Sequence, residues 1–346
     1  MKININDFTR SKILVIGDIM LDCYLWGKVE RISPEAPVPI VQSLKRTYML
    51  GGAGNVALNL ASLGCHTDIM AICGNDGAGE QLQQMLKESN ISSHLIFNDA
   101  HLTISKTRIM ALEQQLLRID EERVQILSYD LKDAVLSKIE SIINRYQAVI
   151  LSDYGKGFLK TPEITESIIS LCRDYNIYVL VDPKGRDWQR YQNATCVTPN
   201  SAELNLVADK IVETEQELIE TSEYIRKKYM LDWLLVTRGS KGMCLTGTDN
   251  RKKDNFNSWD KRYKENFEER DHHNQTPLLI PTQARQVYDV SGAGDTVIAV
   301  LAAGISIGLS FEEAAVVANK AAGVVVGKLG TQPITKDELN AVLTPF

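Results

Sequence analysis

Short apolar runs recur along the chain, and three of them run into an acid. Lys12-Ile13-Leu14-Val15-Ile16-Gly17 leads to Asp18, Ala148-Val149-Ile150-Leu151-Ser152 to Asp153, and Ile177-Tyr178-Val179-Leu180-Val181 to Asp182. A fourth run, Trp233-Leu234-Leu235-Val236-Thr237, ends on a hydroxyl. Continuous apolar runs of this length read as strands buried on both faces of a parallel sheet. Between them, 131–146 and 163–175 have the length and amphipathic pattern of helices. Strands alternating with helices predict an α/β fold: a doubly wound, mostly parallel sheet with helices on both faces. We read residues 1–346 as one such domain.

Two stretches depart from this rhythm. Val38-Pro39-Ile40-Val41-Gln42 follows the turn Ser33-Pro34-Glu35-Ala36-Pro37, and 103–110 and 115–120 alternate polar with apolar residues. Alternation predicts strands with one wetted face, and so a small separate β-sheet drawn from about 20–43 and 100–120. Such a sheet serves as a lid over a crevice, a dimer surface, or both. Residues 247–275 are rich in charge and read as a polar surface excursion, the adjacent His272 and His273 having no further metal ligand at a useful spacing.

In an open α/β sheet the ligand crevice lies at the carboxyl ends of the strands, where Asp18, Asp153 and Asp182 gather. Each acid would also serve as a cap for the turn that follows it. Two glycine turns add chemistry. Asp289-Val290-Ser291-Gly292-Ala293-Gly294-Asp295 opens a small-residue apolar helix, and glycines there leave backbone N–H groups free to face an anion. Asp295 is then either a plain N-cap or a carboxylate that takes a proton from an attacking hydroxyl. The second turn, Gly51-Gly52-Ala53-Gly54-Asn55, also enters a helix, and Asn55 can both donate to and accept from hydroxyls.

Composition limits the partners. The formal net charge is -6 over 346 residues, which argues against a nucleic-acid-binding face but not against a small phosphorylated ligand. There is no apolar leader at the N-terminus and no run long enough to span a membrane, so a cytoplasmic protein is expected. The six scattered cysteines fit reduced, buried thiols.

These motifs, with Thr198-Pro199-Asn200-Ser201-Ala202-Glu203 and Thr237-Arg238-Gly239-Ser240-Lys241-Gly242, come in an order that resembles the ribokinase-like (PfkB) carbohydrate kinases from about residue 11 to 340. The resemblance implies a ribokinase-like fold, ATP and Mg²⁺. It makes Asp295 the catalytic base and Gly292, Ala293 and Gly294 the anion hole. Asn200 and Glu203 would organise Mg²⁺ through water. Thr237, Arg238, Gly239, Gly242 and Asn319 would border ATP, and Asp289 would lie near a monovalent cation such as K⁺. Ser291 stands where the family prefers Thr; the hydroxyl is kept.

Further segments resemble the heptose kinases of lipopolysaccharide-core synthesis within that family: Ile32-Ser33-Pro34-Glu35-Ala36-Pro37-Val38-Pro39, Asp153-Tyr154-Gly155-Lys156-Gly157 and Asp182-Pro183-Lys184-Gly185. Such enzymes phosphorylate C1 of D-glycero-β-D-manno-heptose 7-phosphate. The resemblance implies that Asp18, Asp22, Gly51, Gly52, Asn55, Asp153 and Asp182 face the sugar. Lys106, Arg108, Lys156 and Lys184 are candidates for its phosphate, although each would also serve as an ordinary surface charge. A homodimer through the lid is implied as well. Many such kinases carry a fused nucleotidyltransferase domain, and we expect a separate adenylyltransferase here.

Three rivals remain. A kinase of the same fold acting on ribose, fructose or another sugar phosphate fits the same motifs. A dinucleotide oxidoreductase lacks its Gly-x-Gly-x-x-Gly after the first strand, where Gly17-Asp18-Ile19-Met20 stands, and Gly327-Lys328-Leu329 is not a P-loop. A non-catalytic sugar sensor would have no need of Asp295.

Overall fold

The computed structural model describes residues 4–111, 114–124, 126–248, 277–283, 288–328 and 330–343. Most of the 247–275 excursion, with His272 and His273, lies outside the described residues. Thirteen strands are described: β1 (Lys12–Gly17), β2 (Ile19–Ile32), β3 (Pro39–Gly52), β4 (His66–Gly74), β5 (Ser92–Asn98), β6 (Ile104–Ala111), β7 (Gln114–Glu121), β8 (Ala148–Ser152), β9 (Tyr178–Asp182), β10 (Cys196–Val197), β11 (Trp233–Thr237), β12 (Met243–Gly247) and β13 (Leu278–Ile280). The helices are α1 (Ala53–Ser62), α2 (Gly77–Glu88), α3 (Tyr129–Ile142), α4 (Pro162–Asp174), α5 (Ser201–Ala208), α6 (Glu215–Lys228), α7 (Ala293–Ser306), α8 (Phe311–Val325) and α9 (Lys336–Leu343).

The large sheet runs β13-β12-β11-β10-β9-β8-β1-β4-β5. It is parallel from β11 to β5, and only the β12 and β13 edge is antiparallel. Each inner strand is apolar on both sides because it feeds two cores. In β1, Ile13 and Val15 pack under α1, α2, α7, α8 and α9, while Leu14 and Ile16 pack under α3, α4, α5 and α6. The described cysteines are all buried and unpaired. No helix among the described residues is long and apolar enough to cross a membrane.

A second sheet, β3-β2-β6-β7, stands apart. It reaches further than 20–43, because β3 stays paired with β2 as far as Gly52, with Ile19 opposite. The glycine turn 51–54 is therefore the end of a strand of this second sheet, called the lid sheet below, running straight into α1 of the main sheet's helices. Cross-strand register puts Asp22, Tyr24, Lys106 and Arg108 on one sheet face, from which Asp22 acts on Asp295 and Arg108 on Asp289. The opposite face carries Cys23, Tyr48, Ile109, Leu117 and Ile119. Alternate residues of each strand point to opposite faces, which explains the alternating pattern of these segments; Arg46, Thr107 and Glu121 share the second face with the apolar residues.

Candidate active site

α7 begins where Gly292 adopts φ 78°, a left-handed conformation that costs glycine little. A side chain there would also strike Asn55 Nδ2, 2.6 Å from an added Cβ. Beyond the turn, no group among the described residues accepts from the N–H of Gly294 or Asp295. Nothing lies within 4 Å of the place a Cβ of Gly294 would take. The result is a pair of free donors at a positive helix end with open space before them, which fits an anion.

Asp295 sits in the first turn of α7 and is 4% exposed. Its side chain does not cap the helix. Oδ2 accepts from Asn55 Nδ2 at 2.7 Å, and Oδ1 from the Tyr154 hydroxyl at 2.7 Å. Burial pushes its pKa up to about 6; the Asn55 and Tyr154 hydrogen bonds oppose this and the Asp22 carboxylate adds to it. A buried carboxylate held by neutral donors, poised below neutral pH, has the properties of a general base. Of the two readings left open by the motif, the cap is removed by geometry. Tyr154 is not among the site residues expected from sequence; its position one residue beyond the strand-end Asp153 is the signal that could have marked it.

The other strand-end acids have different surroundings. Asp18 accepts from the N–H groups of Tyr154, Lys156 and Phe158 at 3.1, 2.9 and 3.3 Å. Burial, aided by the Asp153 carboxylate, lifts its pKa to about 6 against those three donors. The Asp153 side chain is fully buried at the edge of the cavity: Gly155 N–H, Arg190 and Tyr191 donate to it at 2.7, 2.9 and 2.5 Å. Asp18 and Asp153 thus fix the 154–158 loop, and Asp153 ties that loop to 184–191. Arg190 Nη2 and Tyr191 Oη also hold the backbone of Lys184. Arg190 and Tyr191 carry no sequence signal for this role. Asp182 differs from both. Its carboxylate has no hydrogen-bond or ion-pair partner among the described residues, and burial, then the Asp295 and Glu203 charges, push its pKa well up.

A cavity of about 190 Å³ joins Asp182, Lys184, Asn200, Glu203, Thr237, Gly292, Gly294 and Asp295. Asn200 and Glu203 form a capping box at α5, and Glu203 Oε1 accepts from Lys184 Nζ at 3.1 Å. Beyond Thr237, Gly239 and Gly242 take φ 56° and 79° to turn the chain, and Arg238 pairs with Glu215 at 3.0 Å. Asn319 is buried and donates to the Pro281 carbonyl at 2.8 Å. Asp289 accepts from Ser291 and Gly330 N–H at 2.9 and 3.1 Å; burial works against ionisation, but these bonds and Arg108 hold its pKa below the usual range.

On the lid side every predicted cation is paired. Arg108 contacts Asp22 and lies over the Tyr24 ring, 5.2 Å from its centroid. Lys106 bonds Asp120 at 3.3 Å and Glu122 at 3.1 Å, and Lys156 bonds Glu122 at 2.6 Å. Glu122 thereby bridges lid and main domain, a role the sequence reading missed because a lone acid in a charged stretch carries no signal.

Residues 10–338 match the sequence profile of the pfkB family carbohydrate kinase. The chain belongs to the pfkB family. Among curated proteins it is 43% identical over 97% of its length to Bifunctional protein HldE of Haemophilus influenzae, and 42% to that of Pasteurella multocida. In both cases the match covers 64% of the relative, so this pfkB-family chain spans under two thirds of those proteins. Among solved structures, phosphofructokinase-2 of Escherichia coli in complex with potassium superposes with TM-score 0.73 at 16% identity, covering 96% of this chain and 97% of that one. Arabidopsis thaliana ribokinase complexed with ribose and ATP gives 0.69 at 19% identity, over 97% and 99%. At that identity these neighbours bear on the fold, which is ribokinase-like.

Proposed function

We propose that this pfkB-family chain transfers the γ-phosphoryl group of ATP to the C1 hydroxyl of D-glycero-β-D-manno-heptose 7-phosphate, giving the 1,7-bisphosphate for lipopolysaccharide-core synthesis in the cytoplasm. The observation that carries the reaction class is Asp295, a buried carboxylate held by Asn55 and Tyr154 beside unclaimed N–H groups at a helix start. Asp295 takes the proton of the attacking hydroxyl. The N–H groups of Gly294 and Asp295 face the negative charge that gathers on the phosphoryl oxygens in transit. Asp182 and Glu203, with Asn200, offer hard oxygen donors. Among the described residues no three acids or histidines are grouped to ligate a metal directly, and a Mg²⁺ that keeps several waters suits such a set. Mg²⁺ there would offset charge on the phosphates. Thr237, Arg238, Gly239, Gly242 and Asn319 border the nucleotide, and Asp289 lies where K⁺ would be held.

The substrate reading rests on the heptose-kinase motifs, on 43% identity to the HldE proteins across the matched region, and on the cations at the lid. Lys106 and Lys156 serve the 7-phosphate, with Lys184 at the boundary with ATP; Asp22, Arg108, Asn55 and the backbone at Gly51 and Gly52 meet sugar hydroxyls. We place a homodimer interface on the outer lid face, where Tyr48, Leu117 and Ile119 are exposed beside Arg46. A coupled ADP-release assay decides the substrate. Turnover should be at least about a hundredfold more efficient on the heptose phosphate than on ribose, fructose or fructose 6-phosphate. Comparable efficiency on any of those three overturns the assignment.

A further inference from the structure

Asn59 is fully buried one helical turn beyond Asn55 and touches no part of the cavity. Its amide is nonetheless bonded on both sides. Oδ1 accepts from the Ile334 backbone N–H at 3.1 Å, and the Thr296 hydroxyl, with one proton to give, lies 3.1 Å from both this oxygen and the Gly292 carbonyl. Nδ2 donates to the Asn55 carbonyl at 2.9 Å and to Asn55 Oδ1 at 3.4 Å. A backbone N–H only donates, so the Ile334 contact settles which end of the Asn59 amide is oxygen. The other end must then be the NH₂ group, and the side-chain oxygen of Asn55 turns toward it. That leaves Asn55 Nδ2 to face Asp295 Oδ2 at 2.7 Å.

We infer that Asn59 is a positioning residue for the base: it fixes the sense of the Asn55 amide, so that Asp295 always meets a donor and never a carbonyl oxygen. The inference rests on the reading of Asp295 as general base. Without Asn59, Asn55 can rotate its amide and present Oδ1 to the carboxylate, an acceptor facing an acceptor. Such a contact disfavours the ionised base. The charged and titratable groups that face Asp295 from the other elements, Tyr154, Asp22 and Asp182, stay in place, so the change is confined to one contact.

The test is the pH dependence of kcat. In Asn59→Ala the acid limb should move up by about half a unit to one unit, lowering kcat at pH 5.5 by about three- to eightfold and leaving the plateau at high pH nearly unchanged. In an Asn55→Ala background the same substitution should give no further shift, because its effect passes through that amide. A merely structural role would lower Tm and scale kcat at every pH alike; that result, or equal shifts in both backgrounds, overturns the proposal. If Asn59→Ala does not fold, Asn59→Asp replaces the NH₂ group that faces Asn55 by an acceptor and should shift the limb the same way; an unmoved limb counts against the proposal. Asp295→Asn run alongside separates the two readings. Full turnover in that variant removes the base itself, whereas lost turnover with an unmoved limb in Asn59→Ala removes only the role of Asn59.

Discussion

The two ends of the crevice are built on opposite electrostatic plans. At the α7 end, Asp295 is buried, carries the one negative charge of its immediate contacts, and is held by an amide, a phenol and a glycine turn. At the lid end, Lys106, Arg108 and Lys156 are partly exposed and already matched by Asp22, Asp120 and Glu122. Neutral dipoles fixed by packing need no rearrangement when charge develops, which is what a catalytic contact requires. Ion pairs hold charge ready but must exchange partners when an anionic substrate arrives, which is what a selective binding contact requires. On the function proposed above, one end is preorganised and the other is poised for exchange. The comparison yields predictions of decreasing size.

The largest effect belongs to the preorganised end. Asp295→Asn should lower kcat by about 10²–10⁴-fold, the usual worth of general-base help, while ATP affinity changes little. Steady-state turnover and calorimetric ATP binding measure the two. Turnover within tenfold of the parent would remove Asp295 from the chemistry and leave only its place at the helix start.

That end was also the more legible in the sequence. The glycine turn at 292–294 could be read because a left-handed backbone demands glycine there, Asn55 and Asp295 stood out as candidates by following glycine turns with the cap left open for Asp295, and the strand runs were legible because a doubly covered sheet needs apolar residues at successive positions. The lid was legible as alternation, although its pairing to Gly52 was not, since register depends on the partner strand. What could not be read was who partners whom. Asp18, Asp153 and Asp182 look alike at strand ends. Yet Asp18 collects backbone N–H groups, Asp153 is enclosed by Arg190 and Tyr191, and only Asp182 is left with a free carboxylate. The partners of Asp153 lie 37 and 38 residues away, and Asn55 lies 240 from Asp295. No local pattern encodes such meetings.

The exchanging end gives the next effect. Lys156→Ala should raise KM for the heptose phosphate about ten- to a hundredfold with KM for ATP within about twofold, as expected when one desolvated charge-assisted contact to a phosphate is lost. Lys184→Ala is the sharper probe, because its partner Glu203 belongs to the Asn200 element. It should weaken the sugar phosphate more than ATP, but by a narrower margin than Lys156→Ala. Equal weakening of both ligands in both variants would merge the two ends into one binding surface.

A smaller effect separates function from stability at Asp295. Its folded pKa of about 6 lies above the ordinary 3.8, so the folded state holds the proton more tightly than the unfolded chain does. Stability is therefore fully present below about pH 4 and falls as pH rises toward 6, by at most about 3 kcal/mol. Asp295→Asn removes this loss. The inactive variant should melt a few degrees higher than the parent at pH 7, and the gain should vanish near pH 4. A variant that melts lower at pH 7 would mean that the ionised carboxylate holds the fold together.

The smallest effect tests the comparison as a whole. Partly exposed ion pairs are screened by salt: the Debye length falls from about 10 Å at 0.1 M to about 3 Å at 1 M. A buried carboxylate bonded to neutral donors is screened much less. Raising choline chloride from about 0.05 to 0.5 M at fixed K⁺ and Mg²⁺ should therefore raise KM for the sugar phosphate a few-fold and leave kcat within about twofold. Two opposed terms set the size of the rise. Salt weakens the pairing of Lys106 and Lys156 with the substrate phosphate, but it also weakens their pairing with Asp120 and Glu122, which the substrate must displace. Glu122→Gln removes the displaced charge that both lysines share, so its salt dependence should be steeper than the parent's and its KM at low salt smaller. A parent and variant with the same slope would show that Glu122 is not exchanged, and the lid cations would then be structural pairs like Arg190 with Asp153.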